Sequence, residues 1–468
     1  MKEEKTGKKV LLLHAPFNKQ AFGKGWVEKK SLAPPLGLLY LGSPLLRKGY
    51  NVSFMDLNVD HLTGEEFLAA VEKQDFILIT CFDGTVKNVR QIIQVISRIN
   101  ERAVILCGGP YCNNTREFIE GSTITCAGEF ENDIVDLLER ITLKKSLNGI
   151  SGLIYTKDGK LVENPGFPVV ENLDSSMIPA RELAAGKKYG SIGITRLNIA
   201  LTMTSRGCPF TCSFCSTGSR IRYRERSIDS VVNEIKNLVR QGYRYITFGD
   251  DNFLCHEERV MKMMDRIIEE NIKVRLIILG RVDSADRDLY MKLREAGVMA
   301  ILFGIESASQ DMLNFYNKRT TVEKGIEAIN LANEAGIVTF GSFIIGAPFE
   351  TREHFEKTRE YFDEVPLDLM ICNKLVYTKG SKLWDHAREA GLIKASEGTV
   401  TTGKRLSNYS TGEWSAIKND LTGYFYRDPR RLLRLSYKLV RLGETRLVVK
   451  ALLDINSLRN RLKATLFD

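Results

Sequence analysis

A chain of 468 residues is long enough for two or three domains, and its 43% hydrophobic and 27% charged residues are ordinary for a soluble globular protein. No apolar run reaches the ~18 residues that a membrane span needs, and residues 1–5 open no apolar signal core, so we expect a cytoplasmic protein whose nine cysteines stay reduced. The net charge is +9, but eleven basic and four acidic residues lie from Arg427 onward. The body of the chain is therefore nearly neutral, which argues against a broad nucleic-acid-binding face.

The sequence pattern of residues 1–145 predicts an α/β domain built on a doubly wound, Rossmann-like parallel sheet. Short apolar runs alternate with amphipathic segments, which is the pattern of parallel strands joined by helices. The predicted strands are 10–13, 52–55, 76–80 and 103–107, and the predicted helices are 36–48, 65–73, 86–100 and 128–141.

The carboxyl ends of these strands are the expected ligand site, because open parallel sheets bind ligands there. No G-x-G-x-x-G is present, so the nicotinamide fingerprint is missing. Glycines after the strands allow the backbone to approach a flat or phosphorylated ligand closely. The residues at these ends include His14, Asp56, Phe82, Thr85, Gly108, Gly109, Gly128 and Glu129.

Residues 146–195 are predicted to form a hairpin followed by a linker. Asp158-Gly159 supplies turn residues that tolerate positive φ between two short strands. The remainder is rich in Gly and Pro and has no periodicity, and no chemistry is visible in it.

Cys208, Cys212 and Cys215 have C-x3-C-x2-C spacing in a turn-rich loop that follows the apolar run 197–203. Closely spaced thiolates of this kind hold iron–sulfur clusters, and three protein ligands on four irons leave one iron open for a substrate. A zinc site needs further ligands, for which only Cys255 and His256 are plausible. A disulfide leaves one thiol of the trio over. The pattern therefore favours a redox cluster over zinc or inert thiols.

Residues 196–395 predict a partial (β/α)6 barrel, with about six strands after the strand that precedes the cysteine loop. Polar residues collect at the carboxyl ends of successive strands, the rim where barrels gather catalytic groups. For some of these residues a purely structural role is the alternative to ligand binding: Asp250 and Asp251 could cap the next helix, and Arg281 could form a surface ion pair. Glu306 follows an apolar strand, and a buried carboxylate needs a partner. We predict that Asn317 and Lys318 form a solvated turn. The candidate rim residues are Gly249, Asp250, Asp251, Arg281, Glu306, Ser307 and Gly346.

Residues 396–468 predict a basic helical tail. Leucines recur on one side of 427–442 with arginines between them, and 445–453 continues the amphipathic pattern. The favoured interpretation is a helical cap whose apolar stripe packs on the barrel. The alternative is a helix that lies on an anionic membrane surface or binds an acidic partner.

The cysteine loop resembles the cluster loop of radical S-adenosylmethionine (SAM) enzymes over Arg206-Gly207-Cys208-Pro209-Phe210, Cys212 and Phe214-Cys215. The resemblance implies a 4Fe–4S cluster held by the three cysteines, with the open iron chelating the methionine moiety of SAM. It also implies that Gly249, Asp250 and Asp251 lie near the methionine amino group. Glu306 and Ser307 are then expected near the ribose or carboxylate, and the Gly346 turn near the adenine.

The N-terminal domain is similar to the cobalamin-binding domain of one large radical SAM subfamily, through Pro34-Pro35-Leu36-Gly37, Asp56, Gly108-Gly109-Pro110 and Gly128-Glu129. The D-x-H-x-x-G string of cobalamin proteins with a histidine lower ligand is absent. The nearest string, around Asp60 and His61, follows the wrong strand, and we interpret it as chance. Phe130 and Tyr111 also depart from the usual pattern. The alternative is a degenerate domain that binds nothing.

The resemblance implies an oxygen-sensitive enzyme that forms a 5′-deoxyadenosyl radical and transfers a methyl group through cobalamin to an unactivated carbon. The alternatives are radical cyclisation, oxidation or coupling without methyl transfer, and a sensing protein without catalysis. A small one-electron reductant of the flavodoxin or ferredoxin type is the implied partner. The substrate is not named by the sequence, although the tail mildly suggests a lipid and peripheral membrane contact.

Overall fold

The computed structural model describes residues 6–17, 33–175, 178–192, 195–216 and 221–453. The chain divides into two compact units, Met1–Ile192 and Gly193–Asp468. In the described residues no helix is long and apolar enough to cross a bilayer.

The first unit is built on a seven-stranded sheet in the order β2-β1-β3-β4-β5-β6-β7. The first five strands of that order are parallel, and β6 and β7 add an antiparallel hairpin. Register places His14 beside both Asp56 and Thr80, so the carboxyl ends of three strands meet. The strands are β1 (Lys9–His14), β2 (Asn51–Asp56), β3 (Phe76–Thr80), β4 (Val104–Gly108), β5 (Ile124–Cys126), β6 (Leu153–Lys157), β7 (Lys160–Glu163) and the two-residue β8 (Ser191–Ile192).

Helices cover both faces of this sheet. Alternate residues of the strands bury into two separate apolar cores, one on each face, so the strands read as continuous hydrophobic runs. The helices are α1 (Leu36–Arg47), α2 (Gly64–Glu72), α3 (Val86–Ile99), α4 (Pro110–Thr115) and α5 (Ile134–Thr142).

The second unit contains six parallel strands in the order β10-β13-β14-β15-β16-β17, the topology of an unclosed barrel. Its larger core lies between these strands and the connecting helices. The strands are β9 (Thr195–Arg196), β10 (Ile199–Thr202), β11 (Ser205–Arg206), β12 (Arg224–Glu225), β13 (Tyr245–Phe248), β14 (Arg275–Arg281), β15 (Val298–Glu306), β16 (Val338–Ile345), β17 (Leu369–Lys374), β18 (Val376–Tyr377) and β19 (Val400–Thr401).

Amphipathic helices follow the barrel strands, and three more form the tail. Their starts are well capped, as where Ser227 and Asp286 accept hydrogen bonds from backbone N–H groups of α6 and α8. The helices are α6 (Ile228–Arg240), α7 (Glu257–Glu269), α8 (Arg287–Glu295), α9 (Gln310–Phe315), α10 (Val322–Glu334), α11 (Arg352–Glu364), α12 (Lys382–Glu389), α13 (Thr411–Arg427), α14 (Pro429–Arg441) and α15 (Thr445–Leu453).

The tail helix α14 closes the amino end of the barrel. Leu442 is buried there with the first residues of three strands, Ile199, Tyr245 and Val338. Lys438 donates to Asp368 Oδ2 at 2.6 Å. The predicted packing of the tail's apolar stripe on the barrel is therefore only partly correct: Leu435, Leu439 and Leu442 pack there, but Leu432 is 43% and Leu433 is 70% exposed. Residues 454–468 lie outside the described part of the chain.

The predicted α/β fold class, with its Rossmann-like sheet, partial barrel and helical tail, is confirmed. Some details were wrong. Two short elements were not predicted, α4 with six residues and β5 with three, and the last helix of the first unit begins at Ile134 rather than at 128. Five strands, not six, follow β10 in the barrel sheet.

Candidate functional site

The loop carrying Cys208, Cys212 and Cys215 leaves the carboxyl end of β10, and all three thiols are half-buried. Gly207 allows the loop to turn, because its φ is +81° and a Cβ there would lie 2.6 Å from the carbonyl oxygen of Arg222. The backbone N–H of Ser213 donates to Tyr316 O at 2.9 Å. The three sulfur atoms are thus presented by a loop that is anchored on both sides.

Arg281 lies over this loop. Its Nη1 is 3.2 Å from Cys212 Sγ, and its guanidinium stacks on Phe210, 3.8 Å from the ring centroid. Burial raises the pKa of Cys212, while Lys318 and Arg281 lower it by favouring the thiolate. A cysteine must lose its proton to bind iron, so these two cations suit an iron–sulfur ligand. Arg281 forms an ion pair with Asp283, as the alternative from sequence expected, but Arg281 is buried and the pair does not lie on the surface.

Asp250 and Asp251 lie in different environments, one buried and one exposed. Asp250 is buried, and its carboxylate accepts hydrogen bonds from Thr204 N at 2.7 Å and Ser205 Oγ at 2.6 Å. Burial raises its pKa, and these hydrogen bonds oppose the rise. Asp251 is exposed and accepts from Gly207 N at 3.1 Å. Asp250 therefore holds the start of the cluster loop, while Asp251 is open to a ligand.

Glu306 forms a buried ion pair with Lys318 that was not predicted. Lys318 Nζ lies 2.7 Å from Glu306 Oε1, and Lys318 is only 3% exposed, so the prediction of a solvated turn at Lys318 was wrong. Glu306 has a φ of +68° and follows a register shift in β15. Such backbone strain is typical of functional sites. No sequence pattern predicts this pairing, because the two residues are 12 positions apart and the turn after α9 brings them together.

The remaining predicted rim residues lie at neighbouring strand ends. Gly249 N donates to Thr202 O at 2.7 Å, and Ser307 Oγ accepts from Ser309 N at 3.2 Å. Glu350 Oε2 accepts from Gly346 N at 2.5 Å, and burial raises the pKa of Glu350 to about 7.

The rim has unsatisfied polar atoms that fit a polar cofactor. Thr202 Oγ1 and Asp283 Oδ1 are buried, and neither has a hydrogen-bond partner among the described residues. Buried polar atoms are normally paired. Three thiols on one short loop, with two cations beside Cys212, are the kind of donor set that an iron–sulfur cluster needs.

In the first unit, Asp56 is fully buried at the end of β2. His14 Nδ1 is 3.1 Å from its Oδ1, and Tyr189 donates to its Oδ2 at 2.8 Å. Burial opposes ionisation of Asp56, but the hydrogen bonds from His14 and Asn58 outweigh it and leave its pKa below the ordinary value. Burial and Asp56 raise the pKa of Tyr189. Tyr189 was not predicted as a site residue, because it lies in the aperiodic part of residues 146–195, which we call the connector.

Phe82, Thr85, Gly108 and Gly109 gather at the ends of β3 and β4. Thr85 Oγ1 accepts from Phe82 N at 2.9 Å, which closes the turn into α3. Cys81 N donates to Gly108 O at 2.7 Å. These residues and the ends of β1 and β2 lie along one edge of the sheet, and their role in ligand binding stays a prediction.

Gly128 and Glu129 are engaged by the connector instead. Glu129 Oε2 accepts from Val170 N at 2.7 Å, and a Cβ on Gly128 would lie 2.5 Å from Pro168 Cδ. Their contacts in this structure therefore favour a structural role over ligand binding.

Two family profiles match the chain. The B12-binding domain profile matches residues 27–138, and the Radical SAM superfamily profile matches residues 202–362. The two matched segments fall in the two structural units.

Curated relatives resemble the chain across most of its length. An uncharacterized methyltransferase of Pyrococcus horikoshii is 30% identical over 86% of this chain and 89% of the relative. The anaerobic magnesium-protoporphyrin IX monomethyl ester cyclase of Rubrivivax gelatinosus is 29% identical over 75% of this chain and 64% of its own. The hopanoid C-3 methylase of Methylococcus capsulatus is 26% identical over 75% of this chain and 68% of its own.

Solved structures share the fold. The cobalamin-dependent S-adenosylmethionine radical enzyme OxsB, with aqua-cobalamin and S-adenosylmethionine bound, has a TM-score of 0.73 at 17% identity, over 96% of this chain and 73% of its own. The radical S-adenosylmethionine methyltransferase TsrM of Kitasatospora setae, with cobalamin and a [4Fe-4S] cluster, has a TM-score of 0.65 at 19% identity, with 82% and 75% covered.

Proposed function

We propose, from the premise that this chain belongs to the radical SAM enzymes with a cobalamin-binding domain, that it transfers a methyl group to an unactivated carbon atom. The profile matches and relatives confirm the predicted family, enzyme class and cofactors: a 4Fe–4S cluster, S-adenosylmethionine and cobalamin. The observation that carries the proposal is the likeness to a methyltransferase across both units, over 86% of this chain.

We assign roles to the chain's own residues as follows. Cys208, Cys212 and Cys215 hold the cluster, and Arg281 stabilises the thiolate of Cys212 at 3.2 Å. Asp250 positions the loop through Thr204 and Ser205. Once bound, the cluster supplies the electron that cleaves S-adenosylmethionine, and cobalamin supplies a methyl carrier.

We assign the polar groups of S-adenosylmethionine to the rim. An ammonium group is matched by the exposed carboxylate of Asp251, and hydroxyl groups are matched by Glu306 and Ser307. We assign the turn at Gly346, which Glu350 holds through the Gly346 N–H, to the adenine as a surface that packs on the base. We further propose residues 1–145 as the cobalamin domain, 146–195 as the connector, 196–395 as the radical core and 396–468 as the tail.

The second candidate is radical cyclisation, oxidation or coupling without methyl transfer. The cyclase relative favours this alternative, because its sequence aligns with 75% of this chain at 29% identity. Both candidates use the same cluster and rim, so the fate of the methyl group separates them.

The test is anaerobic turnover with methyl-labelled S-adenosylmethionine, using extracts fractionated for an acceptor. Label in a product together with 5′-deoxyadenosine supports methyl transfer, whereas deoxyadenosine without transferred label refutes it in favour of the second candidate. Cys215→Ala should lose the cluster iron and both products. Cys255→Ala is the matched control, because this half-buried thiol lies outside the loop and should leave iron content and turnover unchanged.

We propose a lipid-like, apolar substrate reached at a membrane surface. The hopanoid methylase among the relatives supports the substrate class. The outward face of α14 supports the location, since Leu433 is 70% and Tyr437 is 61% exposed, with Val440 beside them. Arg430 and Arg441 are also exposed on this helix. An apolar helix face rimmed by arginines fits an anionic lipid surface.

Vesicle co-sedimentation tests this membrane contact. We expect the protein to pellet with phosphatidylglycerol-containing vesicles at low salt and to dissociate as salt rises, because the basic rim is screened. Leu433→Ser/Tyr437→Ser should stay in the supernatant, whereas Leu143→Ser, which removes a 60% exposed leucine from the first unit, should still pellet. Equal binding to neutral vesicles, or self-association through this face, would overturn the proposal.

We also propose a small one-electron reductant protein of the flavodoxin or ferredoxin type as partner, since cleavage of S-adenosylmethionine consumes one electron. The cytoplasmic face of a membrane is the location that agrees with such a partner and with a basic tail. Reduction of the cluster by a purified flavodoxin, followed by its absorbance, tests this partner directly.

A further inference from the structure

His14 occupies an unusual position at the cobalamin-domain edge. It is the last residue of β1 and only 4% exposed, and it pairs through Nδ1 with the buried carboxylate of Asp56 at 3.1 Å. Asp56 is itself held by the hydroxyl of Tyr189 at 2.8 Å. The imidazole is therefore oriented by a carboxylate that is fixed in turn.

The hydrogen bonds assign the tautomer of His14. Asn58 Nδ2 is 3.3 Å from Nδ1, but its two protons are taken by Asp56 Oδ1 at 2.9 Å and Ala15 O at 3.1 Å. Nδ1 therefore carries the proton that it donates to Asp56. In the neutral ring, Nε2 is then a lone-pair acceptor.

His14 Nε2 is buried and has no hydrogen-bond partner among the described residues. It lies across the ring from Nδ1 and so points away from Asp56. The rings of Phe17 and Phe82 contact the imidazole, with centroids 5.6 and 5.8 Å away, and neither ring can satisfy a lone pair with a strong hydrogen bond. A polar atom prepared in this way and left unused indicates a ligand that supplies the missing partner.

We propose that Nε2 of His14 is an axial ligand of the cobalt in cobalamin. Imidazole nitrogen is a good ligand for cobalt, and a ligating histidine almost always donates its other N–H to a carboxylate that fixes the ring. The carboxyl edge of a parallel sheet is where such a domain binds its ligand. The inference rests on the proposed function only through cobalamin binding.

The other histidine of this unit does not offer this arrangement. His61, in the string that approximates the cobalamin histidine motif, is exposed on the surface after β2. Phe17 is 41% exposed and packs on both His14 and Phe82. Ligation through Nε2 requires the Phe17 ring, which packs on the imidazole, to be displaced.

The test is electron paramagnetic resonance of the cobalamin-loaded protein in its Co(II) state. An axial nitrogen splits each cobalt line into a triplet, because ¹⁴N has a nuclear spin of one. Protein labelled only with ¹⁵N-histidine should change the triplets to doublets. This measurement uses the unaltered chain, so it does not depend on the folding of a variant.

Variants give a second measurement. His14→Ala should lose the histidine splitting while corrin absorbance still reports bound cobalamin, and His61→Ala should keep the splitting. Triplets that ignore the ¹⁵N label identify the nucleotide base of cobalamin as the ligand and overturn the proposal. Lines without nitrogen splitting also overturn it. A protein that retains no corrin refutes cobalamin binding itself, which separates the two failures.

Discussion

Replacement of Lys318 by methionine should destabilise the second unit strongly. The Glu306–Lys318 pair is buried, with Nζ and Oε1 2.7 Å apart, and Glu306 is held at a φ of +68°. Gly304 makes room for the pair, because a Cβ there would lie 2.6 Å from Glu306 Oε1. Lys318→Met leaves a buried carboxylate without its counter-ion.

The expected loss is ~3–5 kcal/mol in the free energy of unfolding, the cost of breaking a buried pair by removing one partner. Glu306→Gln/Lys318→Met should recover much of this loss, because neither charge remains and Gln keeps an unbranched side chain at the strained position. Lys262→Met is the control. Its pair with Glu258 is exposed, so the loss should stay within about 1 kcal/mol.

Urea unfolding followed by tryptophan fluorescence measures these differences. Trp384 and Trp414 are both buried in the second unit, so in a Trp26→Phe background, which removes the chain's third tryptophan, the emission reports on the unfolding of this unit. A loss below ~1 kcal/mol for Lys318→Met would place the pair in a solvent-like environment. A double variant no more stable than the single one would likewise refute the electrostatic argument.

Three further outcomes are expected. Gly346→Ala should weaken S-adenosylmethionine binding in calorimetry, because φ at this position is +115° and the new Cβ would lie 2.3 Å from Thr402 Cγ2. An unchanged affinity would contradict the assignment of this turn to the adenine. Burial raises the pKa of Glu350 to about 7, so the free energy of unfolding should fall as the pH rises from 4.5 to 7, because Glu350 loses its proton at lower pH in the unfolded chain than in the folded one. Glu350→Gln should flatten this pH dependence in thermal melts, and an unchanged pH dependence would contradict the raised pKa. Asp368→Asn leaves Lys438 unpaired and should free α14, which faster tryptic cleavage of the tail would show and an unchanged cleavage rate would disprove.

Local sequence determined the parts that depend on neighbouring residues. The cysteine spacing, the alternation of apolar strands with helices, and the family resemblance are all local patterns, and the predicted family, enzyme class, cofactors and fold class are confirmed. The roles of the individual site residues stay predictions. Short elements such as β5, with three residues, carried too little periodicity to be found.

The tertiary structure decided which distant residues meet. Lys318 looked like a turn residue because its partner Glu306 is 12 positions away across a helix, and charge in a sequence does not reveal burial. Tyr189 reaches Asp56 across 133 positions, from a connector without any pattern. His14 was visible as a strand-end residue, but only the packing around it shows one nitrogen engaged and the other unpaired. Local propensity acts over a few residues, whereas desolvation and hydrogen-bond satisfaction are settled only when the chain is folded.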